Sequence, residues 1–279
     1  MPDLPIPLRS LPGIYLMTPG SQPDCYPTSR IQKGLVLFCD GKDLSEEGVG
    51  FGVPVLKTGQ EAVFPGSCVW KTELKGDGGN SGDGTTVEAE YFMNLVGRMA
   101  VGGKCIDCRT FYRAREWLAS QYRRHPELRN GILYGAELSR RVVSMKDAFL
   151  EVPTVGSVKT VYSIMDDSVQ VNLDLRGVPE GHELIVMNEQ GANHFDSYKD
   201  SGGLCLEKEA IGGWDEVFSD GASFIDSKNG LHFALNKVEG AKMMRGRELL
   251  SDRLAWAGLA YILSPGTKRF SYTIRLGRT

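Results

Sequence analysis

Ser223-Phe224-Ile225-Asp226 and Leu231-His232-Phe233-Ala234-Leu235 flank the four residues Ser227-Lys228-Asn229-Gly230, and this arrangement constrains the fold more than any other stretch of the chain. Asn-Gly is the strongest short-range hairpin signal because both residues tolerate the positive φ of a type I′ turn. The spacing predicts two antiparallel strands closed by such a turn. The pattern then recurs. Val158–Met165 and Ser168–Leu175 straddle Asp166-Asp167 as a second hairpin, and apolar runs at 183–187, 254–263 and 269–276 are separated by Pro179-Glu180-Gly181-His182 and Ser264-Pro265-Gly266-Thr267. Punctuation this regular predicts a mainly β, antiparallel sandwich or barrel.

The first half reads differently. Residues 1–33 are rich in Pro and turn formers, and predict an extended arm that wraps the fold. Gly34–Cys39 predicts a short buried strand ended by Asp40-Gly41. Val49–Leu56 and Glu61–Leu74 carry Gly and Pro among β-branched and aromatic residues, which predicts edges, bulges or bends. The polar run Gly76–Gly84 joins two strand candidates, Cys68–Leu74 and Thr85–Met99. Its Asp77 and Asp83 do not have the spacing of a calcium loop. A helical period is clear once, over 110–128, where Phe111, Ala114, Trp117, Leu118, Gln121 and Tyr122 form one stripe and Arg113, Arg115, Arg123 and Arg124 lie mostly off it. The expected organisation is therefore a single domain over 1–279, mainly β, with one substantial helix inserted near 110–128.

Composition bounds the classes of function. The 279 residues, 41% hydrophobic and 24% charged, suffice for a sizeable core without disulfide or metal staples. The first residues have no basic stretch followed by an apolar one, and no uninterrupted apolar run approaches about 18 residues, so neither an export signal nor a membrane span is expected. The expected location is the cytoplasm, with the six cysteines as free thiols. The net charge of −3 hides an asymmetry: residues 98–146 hold eleven Lys and Arg against four Asp and Glu. Such a basic island suits an anionic partner, but the pI near 5.9 and the lack of interleaved aromatic and basic residues argue against nucleic acid.

Motifs for chemistry are sparse. Cys105-Ile106-Asp107-Cys108 is the one compact pair of thiols, yet a zinc site needs two more ligands and no second pair exists, so no metal and no cofactor are expected. Of the four histidines, His182 lies in a turn and His232 on a hairpin strand. Nucleophile-elbow, zinc-protease, phosphate-loop and dinucleotide-binding glycine patterns are all missing from the sequence. Trp214, after Ile211-Gly212-Gly213 and before Asp215-Glu216, and Tyr198, between Asp196 and Asp200, are aromatics beside carboxylates. That setting suits stacking on the apolar face of a sugar. Trp70, Trp117 and Trp256 are expected in the core.

Val96-Gly97-Arg98-Met99-Ala100 and, about a hundred residues on, Asn193-His194-Phe195 resemble two signatures of the galactose mutarotase (aldose 1-epimerase) family. The closing run Asp226–Phe233 and Leu263–Ile274 is similar to the last strands of β-supersandwich carbohydrate proteins. The resemblance implies a supersandwich fold, a carbohydrate ligand, Arg98 as a sugar-binding arginine and His194 as the general acid. Trp214 and Tyr198 would join them as substrate-binding residues. The sequence departs from the family where its earlier histidine should stand, since only His125 lies between Arg98 and His194. The catalytic glutamate is also unplaced, with Glu239 and Glu248 both available. Ring opening needs an acid and a base on one sugar, so the resemblance implies sugar binding and leaves turnover open. Two other readings stand beside it: a lipid-like apolar ligand enclosed by the strands, and an anionic partner held by the arginine-rich helix.

Overall fold

A computed structural model describes residues 5–19, 30–46, 48–58, 61–73, 85–101, 104–106, 145–251 and 254–278, together with residues 121, 125, 131 and 135. Nineteen strands are described: β1 (Pro5–Pro7), β2 (Ile14–Met17), β3 (Val36–Cys39), β4 (Lys42–Asp43), β5 (Gly50–Thr58), β6 (Glu61–Glu73), β7 (Thr85–Val101), β8 (Lys104–Ile106), β9 (Met145–Ile164), β10 (Ser168–Asp174), β11 (Glu183–Gly191), β12 (Ser197–Asp200), β13 (Cys205–Glu207), β14 (Asp215–Glu216), β15 (Gly221–Asp226), β16 (Leu231–Asn236), β17 (Ala241–Ser251), β18 (Leu254–Leu263) and β19 (Arg269–Arg278). A short 3-10 turn, Lys208–Ala210, interrupts them.

The strands β1 to β4 form a small antiparallel sheet in sequence order. The rest form one large antiparallel sheet, ordered β13-β12-β15-β16-β19-β10-β9-β7-β6-β5-β11-β18-β17-β14, with β8 beside β7. This sheet doubles back on itself. Phe51 of β5 packs edge-on against Phe233 of β16, with ring centroids 5.4 Å apart, and Tyr261 of β18 meets Tyr272 of β19 at 5.0 Å. Strands distant in the hydrogen-bonded order therefore face each other as the two layers of a β-sandwich. The layers are held by alternation: Val87, Ala89, Tyr91 and Met93 of β7 and Val169, Val171 and Leu173 of β10 point inward, and the residues between them point out. Ile6, Leu8, Ile14 and Leu16 of the N-terminal arm join the same core.

A buried polar knot pins the two layers. The Tyr162 hydroxyl lies 2.9 Å from that of Tyr91 and donates toward the carbonyls of Phe51 and Gly52 at 3.1 and 3.2 Å. Asn188 Oδ1 accepts from Gly52 N–H at 3.1 Å and from the Tyr272 hydroxyl at 2.9 Å. Burial pushes the Tyr162 and Tyr272 hydroxyls well above the ordinary phenol range, so they stay protonated and act as neutral donors.

Most expected strands are present, as are both hairpins. The expected bulges appear in β6 around Pro65, where the register with β7 shifts on both sides. Two expectations are corrected. The loop at 227–230 is not a type I′ turn, because among its residues only Gly230 has a positive φ. Asp226 shapes it instead: its Oδ1 accepts from the backbone N–H groups of Lys228 and Asn229, both at 3.0 Å, as an Asx-type cap does. The two-residue loop with positive φ at both positions is Asp40-Gly41, at 49° and 80°, joining β3 to β4. The second correction concerns the helix. The described residues are mainly β and the substantial helix expected over 110–128 is not borne out among them. All of that span except Gln121 and His125 lies outside the described residues, and the one helical contact there is the 3.0 Å bond from His125 N–H to the Gln121 carbonyl. No helix among the described residues is long and apolar enough to cross a membrane.

Candidate functional site

Registers fix which side chains share a face at one end of the sandwich. Gly191 of β11 pairs with Trp256 of β18, which pairs with Glu248 of β17. In the next row on that face Glu189 pairs with Gly258 and Gly258 with Gly246. These six residues line the outward face of the β11-β18-β17 layer, and Asn188, Gln190, Ala257, Arg245 and Arg247 line the inward one. Three glycines in the outward set make room above the sheet. A Cβ on Gly191 would lie 3.1 Å from Glu46 Oε2, one on Gly246 about 3 Å from the rings of Trp214 and Trp256, and one on Gly258 2.9 Å from Glu189 Cγ.

Glu46 arrives from the segment between β4 and β5. Asp43 Oδ1 accepts from both the backbone N–H and the hydroxyl of Ser45 at 2.7 Å, and Gly191 N–H donates to the Leu44 carbonyl at 2.7 Å. Lys33, almost wholly buried, donates to Ser45 Oγ at 3.1 Å and to the Glu46 carbonyl at 2.6 Å. These bonds carry Glu46 in a left-handed conformation, φ 39°, which few residues other than glycine adopt without support. Its carboxylate is gripped from the opposite side. Asn193 Nδ2 donates to Oε2 at 2.8 Å and His194 Nε2 lies 3.0 Å from Oε1.

His194 sits between two carboxylates, with Nδ1 3.8 Å from Oδ2 of the fully buried Asp226. The turn after β11 positions it: Phe195, wholly buried, anchors the chain, and both His194 N–H and Phe195 N–H donate to the Gly191 carbonyl. The Glu46 hydrogen bond, working against burial and aided by the charges of Glu46 and Asp226, raises the His194 pKa above the ordinary imidazole value. Burial would raise Glu46, but the bonds from His194 and Asn193 outweigh it and hold the carboxyl below its usual range. The arrangement is an imidazole with 18% of its side chain open to solvent, oriented by one carboxylate, faced by another and biased by both toward its charged form. That is the equipment of a general acid, or of a donor to a ligand hydroxyl.

Trp214 stacks on Trp256 with ring centroids 4.7 Å apart and planes within 15°. Trp256 is buried, whereas Trp214 keeps 36% of its surface exposed. One face of Trp214 is thus supported and the other is open. Beside it Arg245 pairs with Asp215 at 3.5 Å and donates to the Ile211 carbonyl, which ties the Trp214 loop to β17. Glu189 lies beneath Val49, whose N–H points at Oε2 from 3.4 Å, and is only 6% exposed. Burial, with the nearby charge of Glu248, pushes its carboxyl up to about 7.

Of the residues singled out by sequence, His194 and Trp214 stand where a ligand has access. Tyr198 does not: it is 2% exposed, its ring packs edge-on against Phe224 beneath the Arg245 guanidinium, and its hydroxyl lies 3.4 Å from Asp200 Oδ2. Local carboxylates suggested an exposed aromatic, but the β12 alternation turns it inward. Arg98 lies on β7 opposite Ala148 of β9, and its side chain is outside the described residues. Cys105 belongs to β8, again without a described side chain, and Cys108 lies outside the described residues. Of the thiols described, Cys39, Cys68 and Cys205 are free. Sequence reasoning missed Glu46, Asp226 as a partner of His194, and Glu189. The positive-φ position of Glu46 leaves no sequence signal, while the run Asn188-Glu189-Gln190 inside an apolar strand was a visible anomaly.

No protein-family model matches the chain, and no curated protein is significantly similar to it. Solved structures do match. An α-N-acetylgalactosaminidase from Bifidobacterium bifidum, in complex with GalNAc, aligns over 99% of this chain with TM-score 0.50 and 10% identity. Two weaker matches have TM-scores below that level: a Glycoside Hydrolase Family 97 enzyme variant from Pseudoalteromonas, at 0.42 with 9% identity over 95% of this chain, and HI1317, at 0.34 with 9% identity over 99%. The chain spans about a third of the length of the two glycoside hydrolases, 36% and 34%, and all of HI1317. At such identities the Bifidobacterium match speaks to the fold alone, and it agrees with an antiparallel β-sandwich.

Proposed function

We propose that this chain binds a carbohydrate on the outward face of the β11-β18-β17 layer, with His194 as its proton-bearing residue. One observation carries the reading: the Glu46 carboxylate, held by His194 and Asn193, stands over Gly191, and the residue paired with Gly191 is Trp256, the support for the exposed Trp214. Carboxylates and an imidazolium beside an aromatic platform meet the two needs of a pyranose, hydrogen bonds for its hydroxyls and an apolar surface for its C–H face. The galactose mutarotase-like fragments add Arg98 as a second donor to the sugar and His194 as the acid at its ring oxygen. The Bifidobacterium α-N-acetylgalactosaminidase, bound to GalNAc, is in keeping with a sugar ligand. An apolar ligand finds less support, because the space between the layers is occupied by the fully buried rings of Phe51, Tyr91, Tyr162, Phe224, Phe233 and Tyr261.

Titration of galactose, glucose and N-acetylgalactosamine, followed by tryptophan fluorescence and calorimetry, tests the proposal. At least one sugar is expected to bind and to change Trp214 emission. Trp214→Ala is expected to weaken that binding at least about fivefold, since an aromatic contact of this kind is worth about 1 kcal/mol beyond its area. His194→Ala should weaken it at least as much. Binding that survives both substitutions unchanged would remove this face from consideration. Polarimetry of freshly dissolved α-galactose reads turnover directly: acceleration of mutarotation by the parent and its loss in His194→Ala are the outcomes expected of an epimerase.

A further inference from the structure

The outward face of the β11-β18-β17 layer continues past its glycine row. After Glu189, Gly258 and Gly246 the next row on that face is Met187, Ala260 and Met244, and the one after it Ile185, Ile262 and Lys242. We propose that the sugar bound here carries an apolar aglycone, an alkyl or acyl chain, which lies along these two rows beside Phe218. The inference rests on the sugar reading and names the class of glycoside that the face admits.

The rows break the usual pattern of a sheet with one face on the core, which turns polar side chains outward. On β10 and β19 that pattern holds: the outward positions are Gln170, Asn172 and Asp174, and Arg269, Ser271, Thr273 and Arg275. On β11, β18 and β17 only Lys242 among the six outward positions is polar, and Met187, Met244, Ile185 and Ile262 each keep part of their surface accessible. The edge strand adds a wall. Asp215 pairs with Arg245 and Glu216 with Met244, and Val217 N–H extends the ladder to the Met243 carbonyl at 2.8 Å. Val217 is buried toward the core, so Trp214, Glu216 and Phe218 alternate onto the outward face. Phe218 thereby comes beside Lys242 and is 79% exposed. Four residues of extended chain, about 13 Å, separate it from Trp214. Rows and ring together form a contiguous apolar tract that begins at the sugar platform, the kind of surface that marks a ligand contact.

The margins of the tract say what fits it. On the β5 side Met187 packs against the small cluster of Ile31, Val49, Val53 and Leu95, which closes that flank. Past Ile185 and Ile262 the next outward positions are Glu183 and Ser264, so the far end is polar. A second sugar unit would need hydrogen-bonding groups where these rows offer thioethers and hydrocarbon. A methylene chain needs none, methionine adapts its shape to it, and the Lys242 stem can cover it while the amine stays in water. A bilayer that reached Phe218 would also take in the exposed Glu216 and Lys242, so the occupant is the chain of a single glycoside molecule.

Calorimetry with the methyl and octyl β-glycosides of galactose, glucose and N-acetylgalactosamine, each kept below its micelle concentration, tests the tract, with β-1,4-galactotriose and cellotriose alongside. For the sugar that binds, the octyl glycoside is expected to bind at least tenfold more tightly than the methyl glycoside, because each methylene removed from water adds to the affinity. Phe218→Ser, at an exposed position, is expected to cut that octyl-to-methyl ratio at least threefold, and Phe218→Leu to keep most of it. Equal affinity for the two glycosides of a sugar that binds overturns the tract and leaves the sugar reading standing, as does an octyl advantage that survives Phe218→Ser. A trisaccharide that gains over its monosaccharide where the octyl chain does not assigns the rows to a sugar chain and overturns the proposal as well. Octyl glycosides that all bind alike while no methyl glycoside does report a bare apolar contact, and that result, like no binding by any of the six glycosides, removes the sugar reading and the tract together.

Discussion

Gly52→Ala is expected to destabilise the protein by about 3–6 kcal/mol, lowering Tm by roughly 6–24 °C. Two costs add at this position. Gly52 has φ 77°, where a Cβ crowds its own backbone for about 1–2 kcal/mol. The new methyl would also lie 2.7 Å from Cε1 and the hydroxyl of Tyr162, a wholly buried ring that cannot yield without disturbing Tyr91 and the carbonyls of Phe51 and Gly52. Overpacking of such a core costs about 1–3 kcal/mol, and a lost buried hydrogen bond about 1 more. Gly181→Ala separates the costs: its φ is 83°, but its Cβ meets nothing within 4 Å, so it should lose about 1 kcal/mol. Urea unfolding of both variants is the measurement. Equal losses would mean that the Tyr162 knot is not the rigid element described above.

Asp226→Ala is expected to cost about 2–4 kcal/mol and to lower the pKa of His194, two effects that one buried carboxylate joins. Asp226 accepts from the Lys228 and Asn229 amides at 3.0 Å and from Asn229 Nδ2 at 2.5 Å, so its loss undoes the loop that closes β15 onto β16. The same side chain faces His194 Nδ1 and helps to keep the imidazole charged. Asp226→Asn retains an oxygen for the loop amides while removing the charge. It should therefore destabilise less than Ala and still lower the His194 pKa. With Asp226 gone, the His194 contribution to stability should disappear at a lower pH than in the parent, because a smaller raised pKa shortens the range over which the folded state holds the extra proton. Proton NMR titration of His194 in parent and variants reads this. An unchanged pKa in Asp226→Asn would show that Glu46 alone sets it.

Both residues also mark the limit of what local sequence expresses. Alternation of apolar and polar residues along β10, β15, β16 and β19 is a property of each segment by itself, so strands, facing and most turn positions were legible. The choice between turn types was not. Asn229-Gly230 has the composition of a type I′ turn, yet the loop is four residues long, because Asp226 offers the two loop amides an acceptor that the dipeptide rule does not consider. Tyr198 was misread for a related reason. Its neighbours are carboxylates, and only the pairing of β12 with β15 decides that the ring turns into the core against Phe224.

The site divides in the same way. His194 and Trp214 of the candidate site were singled out from the sequence, one in an Asn-His-Phe fragment and the other in a glycine-rich loop. Their partners were not, since Glu46 is 148 residues from His194 in sequence and meets it only because β5 pairs with β11 and draws the preceding segment over Gly191. The ordering of fourteen strands along the main path of the sheet is likewise a sum of pairings between distant segments, each chosen by which faces must be buried together. Sequence by itself determined that this chain is mainly β, where its hairpins turn and which faces are apolar, because those depend on φ preferences and a two-residue period. Tertiary structure alone decided that a histidine, two carboxylates and a stacked tryptophan pair converge at one end of the sandwich, because side-chain charge and reach act through space between residues that no local rule relates.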